Sequence, residues 1–156
     1  MKIIQRFTTS ILLVLLMAVV SAQDASCAGG DVRVIQMSEL QTKAGAGGEG
    51  DVWISFLGLV YDVTSGRRFY GEGAPYSVFA AKDATGSLAS GKFDEESANA
   101  VNYAELKKDE VDGLKHWKQF YAGKEEYVQI GVLEGKFYDA KGAATDLLTG
   151  VLEQLQ

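Results

Sequence analysis

Two tyrosines six positions apart, Tyr70 and Tyr76, are the best candidates for a chemical role in this sequence. They lie in a loop rich in glycine and aromatic residues, which also holds the only proline of the chain, Pro75. A phenol can donate a hydrogen bond, and its anion can bind a metal where positive charge offsets a free pKa of ~10. Loops of this composition commonly bind ligands, so we predict a binding site here, although a single loop tyrosine more often serves packing.

The residues needed for covalent or acid–base catalysis are not grouped in this chain. His116 is the only histidine, and it falls on a different predicted element from the tyrosine loop. No serine, cysteine or carboxylate set has a histidine base nearby, so we predict that the protein is not an enzyme. We expect His116 to lie on a helix face without a ligand role.

The tyrosine loop must be held by regular elements on both sides. Residues 52–57 and 59–63 are rich in β-forming side chains and are separated by Gly58, which predicts two strands joined by a tight turn. Upstream, the pattern predicts a short strand over residues 31–35, a capped turn of helix over 38–41 and a glycine-dense loop over 44–50.

Short helices are predicted directly after the loop. Residues 76–81 form one that Pro75 opens, and residues 83–90 form a second, with Asp83 placed to cap it. Residues 93–105 fit neither the helical nor the strand period clearly. From residue 109 to 121, apolar side chains recur every three or four positions behind an acidic first turn, which predicts a longer helix.

The end of the chain completes an α+β domain. Residues 127–133 predict a strand, and pairing with residues 136–138 through a turn at 134–135 is one option. The C-terminal residues 143–156 predict an amphipathic helix that packs on the core through Leu147, Leu148, Val151, Leu152 and Leu155. Element order and type therefore predict short helices around a central loop, supported by a small mixed sheet.

The first 22 residues have the pattern of a secretory signal peptide. Lys2 and Arg6 precede the apolar run of residues 11–20, and small residues stand before Gln23. A membrane anchor through residues 7–22 is the alternative, but the apolar run falls short of the ~20 residues of a spanning helix. We therefore predict a signal peptide (1–22), a flexible lead-in (23–30) that contains the lone Cys27, a domain over 31–142 and a C-terminal helix (143–156).

Charge argues against nucleic acid as a partner. The chain carries 15 Lys+Arg and 21 Asp+Glu, for a net charge of −6. Cleavage after residue 22 removes two basic and no acidic residues, so the remainder has 13 Lys+Arg against 21 Asp+Glu and a net charge of −8. No basic block is present that could neutralise a run of phosphates.

Several motifs in the order of the chain resemble a known family. Residues 58–64 (GLVYDVT) are similar to the strand that leads into the haem pocket of cytochrome b5, but the two-histidine ligation of cytochrome b5 is excluded because this chain has one histidine. The later motifs, GRRFYG, APY and VFAAKDA between residues 66 and 84, resemble the membrane-associated progesterone receptor family, a cytochrome b5-like group. The nearest likeness is to its secreted branch, neuferricin and neudesin, and extends from about residue 32 to 142.

This resemblance implies a cytochrome b5-like fold that holds one non-covalent haem b per chain. It implies Tyr76 as the tyrosinate iron ligand, Tyr70 as a hydrogen-bonding residue of the pocket and Tyr127 as a propionate-binding residue. Family members have a lysine where this chain has Glu126, so we expect Lys124 to take over that contact. We also expect Asp83 to act on binding indirectly, as a cap that positions the short helix behind Tyr76.

Two classes of function remain open on the sequence. The first is a haem-binding protein of the extracellular space or endomembrane lumen, acting as a haem carrier or a haem-responsive signalling module. The second is an apo or steroid- or lipid-binding interaction protein with the same fold. Under either reading, a protein partner or a homodimer is compatible with the sequence.

Overall fold

The computed structural model describes residues 32–156, and a mixed sheet lies at the centre of this range. The predicted signal peptide, the lead-in and Asp31 lie outside the described residues. The sheet has the strand order β1-β4-β3-β2, with β1 parallel to β4 and the other neighbours antiparallel. Its strands are β1 Val34–Ile35, β2 Trp53–Phe56, β3 Leu59–Asp62 and β4 Val128–Leu133.

The predicted strand pair before the tyrosine loop is confirmed as the hairpin β2–β3. Leu57 and Gly58 form its two-residue turn, and both have positive φ angles, 50° and 73°. Such left-handed turns match the twist of paired strands. A side chain at Gly58 would collide with Tyr138, because its Cβ would lie 2.6 Å from a ring carbon of that residue. The Leu57 N–H donates to the Thr85 hydroxyl at 2.8 Å, which ties the turn to the segment after the loop.

Helices surround this sheet, and the longest matches the helical period predicted for residues 109–121. The described helices are α1 Met37–Leu40, α2 Arg67–Tyr70, α3 Thr85–Ser90, α4 Glu95–Asn99, α5 Lys108–Ala122 and α6 Asp146–Gln154. Single 3-10 turns occur at Ala46–Gly48, Thr64–Gly66 and Ser77–Phe79. None of the helices in the described range is long and apolar enough to cross a membrane.

Two local expectations are wrong. Ser38 lies inside α1, whose N-cap residue is Gln36 and has no side-chain cap. Residues 136–138 do not pair with β4 as a hairpin, because β1 and β3 already occupy both edges of β4. Tyr138 contributes two isolated bridges instead, one with Glu134 and one with Ala144.

The ambiguous stretch 93–105 contains α4. Asp94 caps it by accepting a hydrogen bond from the Ser97 N–H at 2.7 Å. No residue of α4 is buried, so the helix has no apolar stripe that could have revealed it. The helix predicted over residues 76–81 is a single 3-10 turn.

Alternation along the hairpin divides the buried side chains between two faces of the sheet. Ile54, Phe56 and Tyr61 belong to the main core, whereas Trp53 and Val60 belong to a smaller cluster with β1 and α1. Helices α3, α5 and α6 add further buried side chains to the main core, and so do the segments between the elements. Of the predicted apolar face of α6, Leu148 and Val151 are buried in that core, Leu147 and Leu155 are partly buried, and Leu152 is exposed.

Candidate functional site

A pocket of about 280 Å³ lies between the tyrosine loop, helix α5 and the start of β4. It brings together four of the five side chains predicted from the sequence, namely Tyr70, Tyr76, Lys124 and Tyr127. Asp83 does not line it. The full set of lining residues is Phe69, Tyr70, Tyr76, His116, Trp117, Phe120, Lys124 and Tyr127.

Tyr76 is held by its backbone and by aromatic neighbours. Its N–H donates to the Phe69 carbonyl at 2.8 Å, which fixes the loop against the end of α2. Its ring stacks on Phe79, with centroids 5.8 Å apart, and meets the edges of Trp117 and Phe93 at 6.2 Å each. Within residues 32–156 the Tyr76 hydroxyl makes no hydrogen bond, so its oxygen is available to a ligand.

Tyr70 lies deeper than Tyr76 and is a neutral hydrogen-bonding group. Its hydroxyl oxygen is 3.0 Å from that of Tyr121, and each of these side chains is only 2% exposed. Burial raises the pKa of Tyr70 to about 12 and also raises the pKa of Tyr121. Neither phenol is therefore ionised at neutral pH. From the sequence alone, Tyr121 is one of the apolar positions of the predicted helix.

Tyr127 packs its ring over Gly66, at the start of α2. A Cβ at Gly66 would lie 2.5 Å from the Tyr127 hydroxyl oxygen, so only glycine leaves room for this ring. The ring also meets Tyr70 edge-on at 5.9 Å, and burial raises the Tyr127 pKa. Ser65 donates from its hydroxyl to the Glu126 carbonyl at 2.8 Å, which holds the segment leading into β4 beside α2.

Charges of both signs meet at the Lys124 end of the pocket. The Lys124 Nζ atom lies 3.4 Å from a carboxylate oxygen of Glu126 and 5.4 Å from the centre of the Phe120 ring. A hydrogen bond from its own backbone N–H, followed by Lys124 and Arg68, lowers the Glu126 pKa. Glu126 is therefore ionised at neutral pH and competes with any ligand carboxylate for Lys124.

The two arginines of the loop have different surroundings. The Arg67 guanidinium donates to the carbonyls of Gly45 and Gly50, so it ties down the glycine-dense loop. Arg68 lies with its guanidinium 4.7 Å from the centre of the Phe69 ring, and Phe69 lines the pocket. Of the two, Arg68 is the one whose charge acts on Glu126 and Tyr127.

Asp83 and His116 are placed differently from the other candidates. Asp83 accepts a hydrogen bond from the Thr85 N–H at 3.1 Å and lies 3.7 Å from the Lys136 ammonium group. The N-cap residue of α3 is Ala84 rather than the predicted Asp83. Asp83 thus stands beside the first turn of α3, and its indirect role in binding stays a prediction. His116 belongs to a different element from the loop, as predicted, but it lies in the pocket wall, because it shares a four-residue spacing with Phe120 and Lys124.

A larger cleft, of about 650 Å³, lies elsewhere on the described surface, between residues 103–104 and helix α6. It is open and contains none of the predicted site residues. Because the convergent phenols and the basic side chain lie in the smaller pocket, we take that pocket as the candidate site.

The side chains of the tyrosine pocket fit a flat, carboxylate-bearing aromatic ligand such as haem. The walls are aromatic rings, the Tyr76 oxygen is unpaired, and Lys124 and Arg68 supply positive charge at one end. The pocket volume is slightly below ~300 Å³, the lower end of the usual range for small-molecule pockets. A ligand as large as haem would therefore be only partly enclosed. The exposed rings of Phe69, which lines the pocket, and Phe93, which meets Tyr76, would cover part of the remainder.

Comparison with known proteins identifies the family of this chain. The family model of the cytochrome b5-like heme/steroid binding domain matches residues 36–134. A neuferricin homolog of Drosophila pseudoobscura pseudoobscura is 35% identical over 127 residues, which cover 79% of this chain and 43% of the relative. Membrane-associated progesterone-binding protein 4 of Arabidopsis thaliana is 32% identical over 118 residues, which cover 76% and 47%.

A solved structure agrees with the fold. It is of a hypothetical Arabidopsis thaliana protein described as having a cytochrome b5 like fold, and it has a TM-score of 0.56 at 26% identity, covering 72% of this chain and 100% of that one. The chain spans less than half the length of the two curated relatives. Since the family model covers well over half of the 156 residues, the predicted resemblance and α+β fold are confirmed. The chain belongs to the cytochrome b5-like haem/steroid-binding domain family, and its relatives there include neuferricin and a membrane-associated progesterone-binding protein.

Proposed function

We propose that this protein binds one non-covalent haem b through Tyr76 as the single axial ligand. The observation that carries the proposal is the Tyr76 hydroxyl, which lies at the wall of an aromatic pocket and has no hydrogen-bond partner within residues 32–156. An oxygen in that position is free to bind iron. Bound haem would supply a ferric centre of low reduction potential, because a hard anionic oxygen stabilises Fe(III) over Fe(II).

The other pocket residues have supporting roles in this proposal. Tyr70 and Tyr127 are neutral phenols that donate hydrogen bonds to ligand oxygens. Lys124 and Arg68 offset the charge of ligand carboxylates, which would be costly to bring into a partly buried site without a cation. Phe69 and Trp117 pack on the flat ring.

A site of this kind suits binding rather than electron shuttling or catalysis. We propose that the protein acts as a haem carrier or a haem-responsive interaction module in the extracellular space or the endomembrane lumen. The proposed location follows from the signal-peptide pattern of residues 1–22. We also propose that it can act with a protein partner or as a homodimer.

A steroid or another apolar lipid is the second candidate ligand. The exposed rings of Phe69 and Phe93, which are 39% and 52% exposed, favour it, because an apolar ligand would cover them as well as haem would. A steroid, however, leaves the Tyr76 oxygen without an electrophilic partner and needs no cation at Lys124.

Titration of the purified protein with hemin separates the two candidates. Haem binding by Tyr76 predicts a saturable Soret band with one equivalent of hemin, together with a phenolate-to-iron charge-transfer band. A protein that binds a radiolabelled steroid at low concentration, but gives only the spectrum of free hemin, would support the second candidate.

A further inference from the structure

The hydrogen bond between Tyr70 and Tyr121 has a direction that matters to the pocket. Their hydroxyl oxygens are 3.0 Å apart, and either could be the donor. Around Tyr121 the neighbours are rings: Tyr61 stacks on it with centroids 5.0 Å apart, and Trp117 lies at 6.0 Å. Within residues 32–156, the Tyr121 hydroxyl has Tyr70 as its only hydrogen-bond partner.

These surroundings favour one of the two directions. If Tyr70 donated, the Tyr121 proton would be left without an acceptor inside an aromatic cluster, which is costly for a buried hydroxyl. If Tyr121 donates, its proton is satisfied by the Tyr70 oxygen. The proton of Tyr70 is then available to the pocket that Tyr70 lines.

We propose that Tyr121 is a positioning residue of the binding site, which holds Tyr70 as a donor to an anionic oxygen in the pocket. This inference rests on the proposed haem function. The oxygen is either a carboxylate of the bound ligand or the phenolate of Tyr76, whose ring lies 6.0 Å from that of Tyr70 between centroids. Each tyrosine hydroxyl has one proton and two acceptor lone pairs, so Tyr121 can donate to Tyr70 while Tyr70 donates to the pocket.

A double-mutant cycle tests whether Tyr121 acts through Tyr70. Hemin dissociation constants are measured for the wild type, Tyr121→Phe, Tyr70→Phe and the double variant, which all keep the buried rings. Loss of one hydrogen bond predicts roughly three- to tenfold weaker binding for Tyr121→Phe and at least as much for Tyr70→Phe. The double variant should bind like Tyr70→Phe alone, because Tyr121 has nothing to orient once the Tyr70 hydroxyl is gone.

Tyr61→Phe is the matched control. Its ring stacks on Tyr121 and is buried to a similar degree, so it reports the cost of removing a hydroxyl from the same cluster. We expect its hemin affinity to equal that of the wild type. Melting temperatures of all five proteins, measured without hemin, show whether a change in affinity merely follows a change in stability.

Hemin dimethyl ester, which has no free carboxylate, distinguishes the two acceptors. If Tyr121→Phe weakens binding of the ester as much as binding of hemin, and shifts the charge-transfer band, the acceptor is the Tyr76 phenolate. If the loss disappears with the ester, the acceptor is a ligand carboxylate. Either outcome supports the positioning role.

The inference is overturned if Tyr121→Phe binds hemin like the wild type, or weakens binding by the same factor with and without the Tyr70 hydroxyl. Those results are distinct from a failure of the proposed haem function. If the proposed function failed, the wild type itself would give no saturable Soret band.

Discussion

Gly66→Ala should damage both the fold and the pocket, because the new methyl group must displace Tyr127. The ideal Cβ lies 2.5 Å from the Tyr127 hydroxyl oxygen and 2.9 Å from two of its ring carbons. The φ angle of Gly66 is −91°, which alanine adopts readily, so the effect comes from the collision alone. Tyr127 is 6% exposed and packs against Tyr70 and Tyr121, so its rigid ring cannot turn away freely.

Overpacking of this kind costs ~1–3 kcal/mol. For a domain of this size, each kcal/mol lowers the melting temperature by about 4 °C, so we expect a decrease of roughly 4–12 °C. Hemin binding should also weaken, because Tyr127 lines the pocket. Thermal unfolding monitored by circular dichroism gives the first quantity, and hemin titration of the folded variant gives the second.

Gly150→Ala is the matched control, since it makes the same chemical change inside α6, where no atom lies within 4 Å of the ideal Cβ. Alanine is favoured over glycine in a helix by ~1 kcal/mol, so this variant should melt a few degrees higher and bind hemin normally. If Gly66→Ala instead melts at or above the wild-type temperature, the packing of Tyr127 over Gly66 is refuted.

Three further predictions concern charge, ionisation and processing. Lys124→Ala should weaken hemin binding a few-fold, and Glu126→Lys should strengthen it by removing a carboxylate that competes for Lys124; weaker binding by Glu126→Lys would show that the predicted match of this strand to the family is wrong. The free energy of unfolding should fall as the pH rises from about 10 to 12. Tyr61 and Tyr70 have folded pKa values of about 12, so they stay protonated in the folded protein at a pH where the same tyrosines have ionised in the unfolded chain. A flat pH profile over that range would contradict this prediction. Terminal sequencing of the exported protein should start near Gln23, and retention of Met1 would favour the membrane anchor.

Elements with a strong local pattern could be predicted from the sequence. The hairpin β2–β3 is marked by β-forming residues on both sides of Leu57-Gly58, and α5 by a clear helical period. Pairing across the sheet could not be predicted in the same way. Strand β4 pairs with β1, which lies almost a hundred residues earlier in the chain. Local spacing suggests pairing with residues 136–138 instead.

The candidate site shows the same division. The motifs placed Tyr70, Tyr76, Lys124 and Tyr127 in one region, and they do meet in one pocket. The helical spacing from 116 to 120 and 124 indicates the position of His116, although this residue is far from the tyrosine loop along the chain. The Tyr121 hydroxyl had no sequence signal, because its role depends on a contact with a residue 51 positions away.

The central claim, that Tyr76 is the iron ligand, is tested most directly by the absorption spectrum of Tyr76→Phe with hemin. The change removes one oxygen and keeps the ring that packs against Phe79 and Trp117, so the fold and melting temperature should persist. We expect hemin binding to be abolished or strongly weakened and the charge-transfer band to be lost. His116→Ala, which alters the only imidazole in the described pocket wall, should keep the wild-type spectrum. If Tyr76→Phe binds hemin with an unchanged spectrum, Tyr76 is not the ligand.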